Sequence, residues 1–243
     1  MTADTSLLVI ARPDDHAVRV LQQQAGGRVL HASIADLSLG GWHYDAQHPA
    51  RASAVAAGRV IAARHFAATI CRIGVIRASD LPHLHRDDRD YVAAEMNAFL
   101  RVWLEQGTAV RFNTPTWVSL AGPAWHPLQW TWFVGQLGVP VHPTLPSASP
   151  VTPSPDETTT VTVVGKAAFG GADPVVNAYA LQIARAVHSE LLGVTFARHG
   201  TWTFLSASPT PVVDATNAAA ILHHAFAEAS TQPARDILAQ CAA

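Results

Sequence analysis

The first apolar run, residues 6–11 (SLLVIA), is hydrophobic from end to end and stops at Arg12-Pro13, the pattern of a strand buried on both faces. From Asp14 the period becomes helical, with Val18, Leu21 and Ala25 on one face and Gly26-Gly27 closing the segment. Residues 28–31 make a second short strand. Strand, helix and strand with short connections predict a βαβ unit and a parallel sheet. Residues 58–61 and 65–77 are β-rich, and the second stretch (HFAATICRIGVIR) reads as a sheet-centre strand with a short hairpin partner before it. Residues 87–107 have a polar first turn and a terminal glycine, which predicts a helix with the stripe Tyr91, Val92, Glu95, Phe99, Val102 and Trp103. Glu95 falls inside that stripe. A buried carboxylate needs a cation or hydrogen bonds, and Arg77, at the end of the preceding strand, is the first candidate, as a structural pair or as a substrate contact.

Residues 110–113 form another short strand and residues 128–138 an aromatic-rich helix. The stretch 140–155 holds six prolines among serines and threonines, an extended linker. Beyond it, residues 158–164 (TTTVTVV) read as a strand and residues 174–192 as a long amphipathic helix. Residues 194–197 and 201–206 read as a hairpin around His199-Gly200. A last helix starts near Asp214, with Ala219, Leu222, His223 and Phe226 inward. The whole is an α/β chain in two parts: an α/β domain over 1–140, a linker over 141–157 and a smaller α+β part over 158–243.

Composition adds constraints. Of 243 residues 49% are hydrophobic and only 14% charged, against about 25% in ordinary domains. Such a chain is expected to hide surface in a homodimer, with Trp117, Trp125, Trp130, Trp132 and Phe133 at or near the interface, since tryptophan is enriched in interface cores. A net charge of −2 argues against nucleic acid or an anionic membrane as the main partner. No apolar run approaches the ~18–20 residues that span a bilayer, and the start lacks the basic region of a signal peptide. Cys71 and Cys241 form no disulfide framework, so reduced thiols in a cytoplasm are expected. The thirteen histidines are scattered. The tightest group, His83 and His85 with Asp87 and Asp88, reads as a solvated loop. His223 and His224 diverge by ~100° on a helix, and no metal site is expected. No Gly-x-Ser-x-Gly elbow occurs, so no catalytic residue is assigned.

From Arg77 onward a series of short motifs follows in order: Tyr91 with Glu95, Asn113-Thr-Pro115, Leu120-Ala-Gly122-Pro123, Gln129-Trp130 and Gly138-Val139-Pro140-Val141. This series resembles the pre-ATP-grasp domain of the ATP-grasp superfamily, specifically its RimK-like and peptide-maturase ligases. Residues 161–171 (VTVVGKAAFGG) and the helix through Ala184-Arg185-Ala186 resemble the last ATP-grasp subdomain. The resemblance implies a pre-ATP-grasp-like α/β domain followed by a reduced ATP-grasp-like C-terminal part. It implies that the Trp-rich stretch 113–130 is the crossover closing the first domain. It also implies that a working member offers two lysines to nucleotide phosphates and Asp, Glu and Asn to two Mg²⁺ ions. This chain has one lysine, Lys166, and where the family carries Glu-x-Asn it reads Phe204-Leu205-Ser206-Ala207-Ser208-Pro209. The expectation is a truncated, degenerate member with neither ATP nor Mg²⁺ favoured, binding a peptide, a small carboxylate or a partner ligase. The alternative is an enzyme that reuses the cleft through arginines. Arg77, Arg111, Arg185 and Arg198 are the candidate anion holders, with Glu95, Asn113 and Lys166 beside them as candidate ligand contacts.

Overall fold

The computed structural model describes residues 5–107, 109–141, 157–171 and 173–240, the side chains of 50, 199 and 228–240 excepted. It divides into two compact units. The first comprises Met1–Gly122 with Val213–Ala243, the second Pro123–Val212. This differs from the boundary expected near residue 140. The Trp-bearing helix belongs with the second unit, and the last helix returns to the first. Most of the expected linker, 142–156, lies outside the described residues.

The first unit is built on four strands, β1 (Ser6–Ile10), β2 (Val29–Ala32), β5 (Phe66–Cys71) and β6 (Val110–Arg111), in the order β2-β1-β5-β6. All pairings are parallel. The predicted βαβ unit is β1, α1 (His16–Ala25) and β2. Asp15 caps α1 by accepting the Ala17 N–H, and Val18 and Leu21 are buried. The expected hairpin partner pairs elsewhere: β4 (Arg59–Ala62) joins β3 (Ser53–Ala56) in its own ribbon. The short helix α2 (Ile34–Leu37) carries Asp36. That carboxylate accepts the Ser33 N–H and hydroxyl and also the Gly58 N–H, and so ties β2 to the turn of the ribbon.

One core joins Leu8, Ile10 and Phe66 of the sheet, Ala54 and Ala56 of the ribbon, and Leu100, Trp103 and Leu104 of α3 (Arg89–Gln106). Trp103 donates its indole N–H to the Ser53 carbonyl. Strand alternation sends Leu7 and Val9 to the opposite face, and α6 (Ala215–Gln240) packs on α1, β1, β5 and β6. Among the described side chains of α6, Asn217, Ala218, Ile221 and Ala225 are buried. Ala219 and His223, expected inward, are exposed.

In the second unit β7 (Glu157–Val164), β8 (Ala167–Phe169), β9 (Leu191–His199) and β10 (Thr201–Ser208) form an antiparallel sheet in the order β10-β9-β7-β8. The predicted hairpin about Gly200 is β9–β10. Helices α4 (Pro127–Gln136) and α5 (Pro174–Ala186) share a core with the sheet through Trp130, Val134, Val176, Ile183, Val161, Val194 and Phe196. Asp173 caps α5 at the Val175 N–H and accepts the Trp202 indole N–H at 3.0 Å, which holds α5 to β10. No helix among the described residues is long and apolar enough to cross a membrane.

Candidate functional site

In the first unit the chain runs from β1 outward to β2 on one side, while β5 and β6 extend the sheet on the other. The carboxyl ends of β1 and β5 are therefore a switch point, the place where open α/β sheets take their ligands. Two arginines stand there, each one or two residues past its strand. Arg72 donates through Nε to Asp15 at 2.7 Å, with only 8% of its side chain exposed. Arg12 donates to Asp80 at 2.9 Å, with 38% of its side chain exposed. Both carboxylates are anchored by backbone as well: Asp15 by the Ala17 N–H, Asp80 by the Arg77 N–H. The pairs hold two guanidinium groups in place at the sheet edge. Arg12 is open enough to take a carboxylate or phosphate through its remaining N–H groups.

Sequence reasoning missed both. It extended the strand to Arg77, but β5 ends at Cys71, and the arginine that follows the strand is Arg72. Arg77 is exposed and opens the turn Ala78–Asp80. Cys71 donates its thiol to the Ile73 carbonyl at 3.5 Å, and burial pushes that thiol up to about 12, which keeps it from acting as a nucleophile.

Glu95 does not pair with Arg77. It is exposed, because the buried stripe of α3 is Ala93, Leu100, Trp103 and Leu104, while Tyr91, Phe99 and Val102 face solvent. The polar residue that meets the loop after β5 is Asn97. Its amide donates to the Ile76 and Ala93 carbonyls and its oxygen accepts the Ile76 N–H.

Asn113 and the Leu120-Ala-Gly122 turn come together. The Asn113 amide donates to the Ala121 carbonyl at 3.0 Å, and the Leu120 N–H donates to Gly74 at 2.7 Å. Gly122 has φ +114°, and a Cβ there would stand 2.7 Å from Asn113 Cβ. These two motifs shape a loop beside β5. Arg111 donates to the Leu104 and Glu105 carbonyls, satisfying the last turn of α3.

The cations of the second unit do not converge. Lys166 is exposed on the turn between β7 and β8, and Arg185 is exposed on the last turn of α5. Arg198 lies 3.6 Å from Glu157 and 5.6 Å from the centre of the Trp202 ring. Lys166 and Arg198 thus sit at opposite ends of β7, on the order of 20 Å apart.

The aromatic residues divide. Trp130 is core, 2% exposed, its ring centre 4.6 Å from that of Trp125 with the planes tilted by 40°. Trp125 and Phe133 are half-buried, while Trp132 and Trp117 are exposed. Trp125, Leu128, Gln129, Trp132 and Phe133 line an open cavity of about 390 Å³.

No family model matches the sequence, and no curated protein matches it. Solved structures do match the fold. The ATP-grasp ligase PsnB, complexed with a phosphomimetic variant of its minimal precursor, Mg and ADP, aligns at TM-score 0.67 and 13% identity over 93% of this chain and 99% of that one. A RiPP-associated ATP-grasp ligase of Chryseobacterium gregarium, in complex with ADP and a leader and core peptide, aligns at TM-score 0.62 and 8% identity over 92% and 96%. The macrocyclase MdnC of Microcystis aeruginosa MRC, bound with the precursor peptide MdnA, aligns at TM-score 0.61 and 11% identity over 86% and 92%. At these identities the likeness establishes architecture: the chain has an ATP-grasp-like fold, an α/β unit with an α+β unit.

Proposed function

We propose that this protein binds a carboxylate-bearing ligand, a peptide or small acid, or a partner ligase, in a peptide-modifying biosynthetic pathway, and that it does so without turning over ATP. The observation that carries the second half is Lys166. It is the one lysine in the chain, and it stands exposed on a hairpin turn. Nor is any group of three or more His, Cys, Asp or Glu side chains among the described residues arranged to hold a metal ion. Both support a chain that does not take up Mg²⁺–ATP, whose phosphates need cations and whose metal needs hard oxygen ligands. On this reading the chain is a degenerate member of its fold. Support for the ligand half comes from Arg12 and Arg72 at the switch point, and from solved neighbours that hold precursor peptides.

A second reading is an active carboxylate–amine ligase that holds its anions with arginines. Its support is a likeness covering 99% of the PsnB chain. Calorimetric titration separates the two. Peptides with several carboxylates are expected to bind without nucleotide, and Arg12→Gln is expected to weaken them about tenfold or more, the loss of one charge-assisted hydrogen bond. Peptide binding that appears only with ATP and Mg²⁺ supports the ligase instead.

A further inference from the structure

Within the first unit, α1 and α6 flank an open cavity of about 620 Å³. It lies at the other end of the sheet from Arg12 and Arg72. Arg28, which lines it, directly precedes β2, and the next residue, Val29, pairs with Leu7 at the start of β1, whereas Arg12 follows the end of β1. The parallel register therefore puts Arg28 and Arg12 on the order of 20 Å apart. Gln24 donates its amide to the Ala215 carbonyl at 2.6 Å and ties the last turn of α1 to the first of α6. Ala25, Leu222, Phe226 and Ala227 give the cavity apolar walls, and Arg28 and His223 bring nitrogen donors.

Arg28 is held in place without being satisfied. Its guanidinium carbon lies 3.7 Å from the centre of the Phe226 ring, a contact that favours the cation and fixes its position. An aromatic ring takes none of the ordinary hydrogen bonds a guanidinium can donate. Among the described residues no carboxylate or carbonyl accepts from the Arg28 side chain. Arg12, Arg72 and Arg111, by contrast, each donate to an acceptor of their own chain. The N–H fork of Arg28 is left for an oxyanion from outside. A side chain ordered before binding also loses less freedom when the ligand arrives. His223, one turn before Phe226 on α6, is exposed on the same cavity and can add a ring N–H.

We propose that this cavity binds a small monocarboxylate with an apolar body, such as an arylalkanoic acid. Its carboxylate sits on the Arg28 fork and the His223 ring, and its body lies against Ala25, Leu222 and Phe226. A single fixed guanidinium matches a single carboxylate. The apolar walls select against inorganic phosphate, which would bring polar oxygens to surfaces that offer them nothing. The site is separate from the switch point and does not rest on the ligand or nucleotide reading given for it.

Saturation-transfer NMR titrations of the full chain with phenylacetate and with phenylacetamide test it, with excess phosphate as competitor. Phenylacetate is expected to bind saturably, and the uncharged amide about tenfold or more weaker. Arg28→Gln, at an exposed position, is expected to cost the acid a similar factor. Phe226→Leu keeps an apolar wall but removes the ring that holds the guanidinium, and is expected to weaken the acid severalfold. Phosphate is expected not to displace it. Absence of saturable binding overturns the proposal, as does equal affinity for acid and amide, or displacement by phosphate. Loss of the acid on Arg12→Gln while Arg28→Gln binds like wild type also overturns it, and assigns the acid to the switch point instead.

Discussion

Asn97 makes three hydrogen bonds to backbone groups, two of them to Ile76 in the loop after β5 and one to Ala93 within α3. Asn97→Ala leaves those groups short of partners in a half-buried place and is expected to lower stability by about 1–3 kcal/mol. Glu95, two residues away and exposed, is expected to behave as a surface position, with Glu95→Gln within about 0.5 kcal/mol of wild type. Paired urea titrations check both, and a large loss for Glu95→Gln contradicts the observed phase of α3. Asp36 has a titration consequence. Burial pushes its carboxyl up, but the Ser33 N–H and hydroxyl and the Gly58 N–H more than offset this, and the net direction is down. A folded pKa below the unfolded value stabilises in full above the unfolded pKa, near 4, and the contribution disappears as pH falls through the folded value. Wild type is therefore expected to lose stability on acidification in a range where Asp36→Asn, already weakened at neutral pH, loses less. Parallel curves for the two proteins from pH 7 to pH 3 contradict this.

At the scale of elements, the loop 112–122 is held by one glycine. With φ +114° and Asn113 Cβ at 2.7 Å from any added Cβ, Gly122→Ala both strains the backbone and pushes Asn113 off the Ala121 carbonyl. A drop of roughly 2 kcal/mol or more is expected by thermal melting, and an unchanged melt contradicts the close approach. Strands β1 and β7 were legible in the sequence, one as an apolar run and the other as a β-branched run of threonine and valine, and each falls within a residue of where the pattern puts it, whereas β5 starts where expected but ends six residues early, at Cys71. Helix phase was less legible. In α3, Tyr91, Val92, Phe99, Leu100, Val102, Trp103 and Leu104 spread apolar side chains around much of the cylinder, so two stripes fit the sequence and packing against β5 and the ribbon selects one. In α6 the alanines make neighbouring phases nearly equivalent. The switch-point arginines were hidden for another reason. Arg12 and Arg72 each follow an apolar run, but only the sheet order places β5 beside β1 and so brings them to one edge. Asn113 and the Leu-Ala-Gly-Pro turn were noticed as motifs, and the structure gives their physical sense: a tight turn packed on one amide.

For the molecule as a whole, the ATP-grasp-like fold and the proposed loss of nucleotide chemistry pull in different directions. The fold is shared with ligases solved with ADP and with precursor peptides. The chain carries a single lysine, on an exposed turn, and Arg12, Arg72, Arg89, Arg101, Arg111 and Arg198 engage carbonyls or carboxylates of their own chain. On the proposed reading Arg12, with 38% of its side chain exposed, keeps N–H groups for a ligand that brings its own carboxylates. Most directly, the account is tested by calorimetric titration of the full chain with ATP and Mg²⁺, followed by a carboxylate-rich peptide in the same cell. The account predicts no heat of nucleotide binding, no release of phosphate, and peptide binding of equal affinity with and without nucleotide. Saturable nucleotide binding, with phosphate released when peptide is added, contradicts it and makes the chain a working ligase.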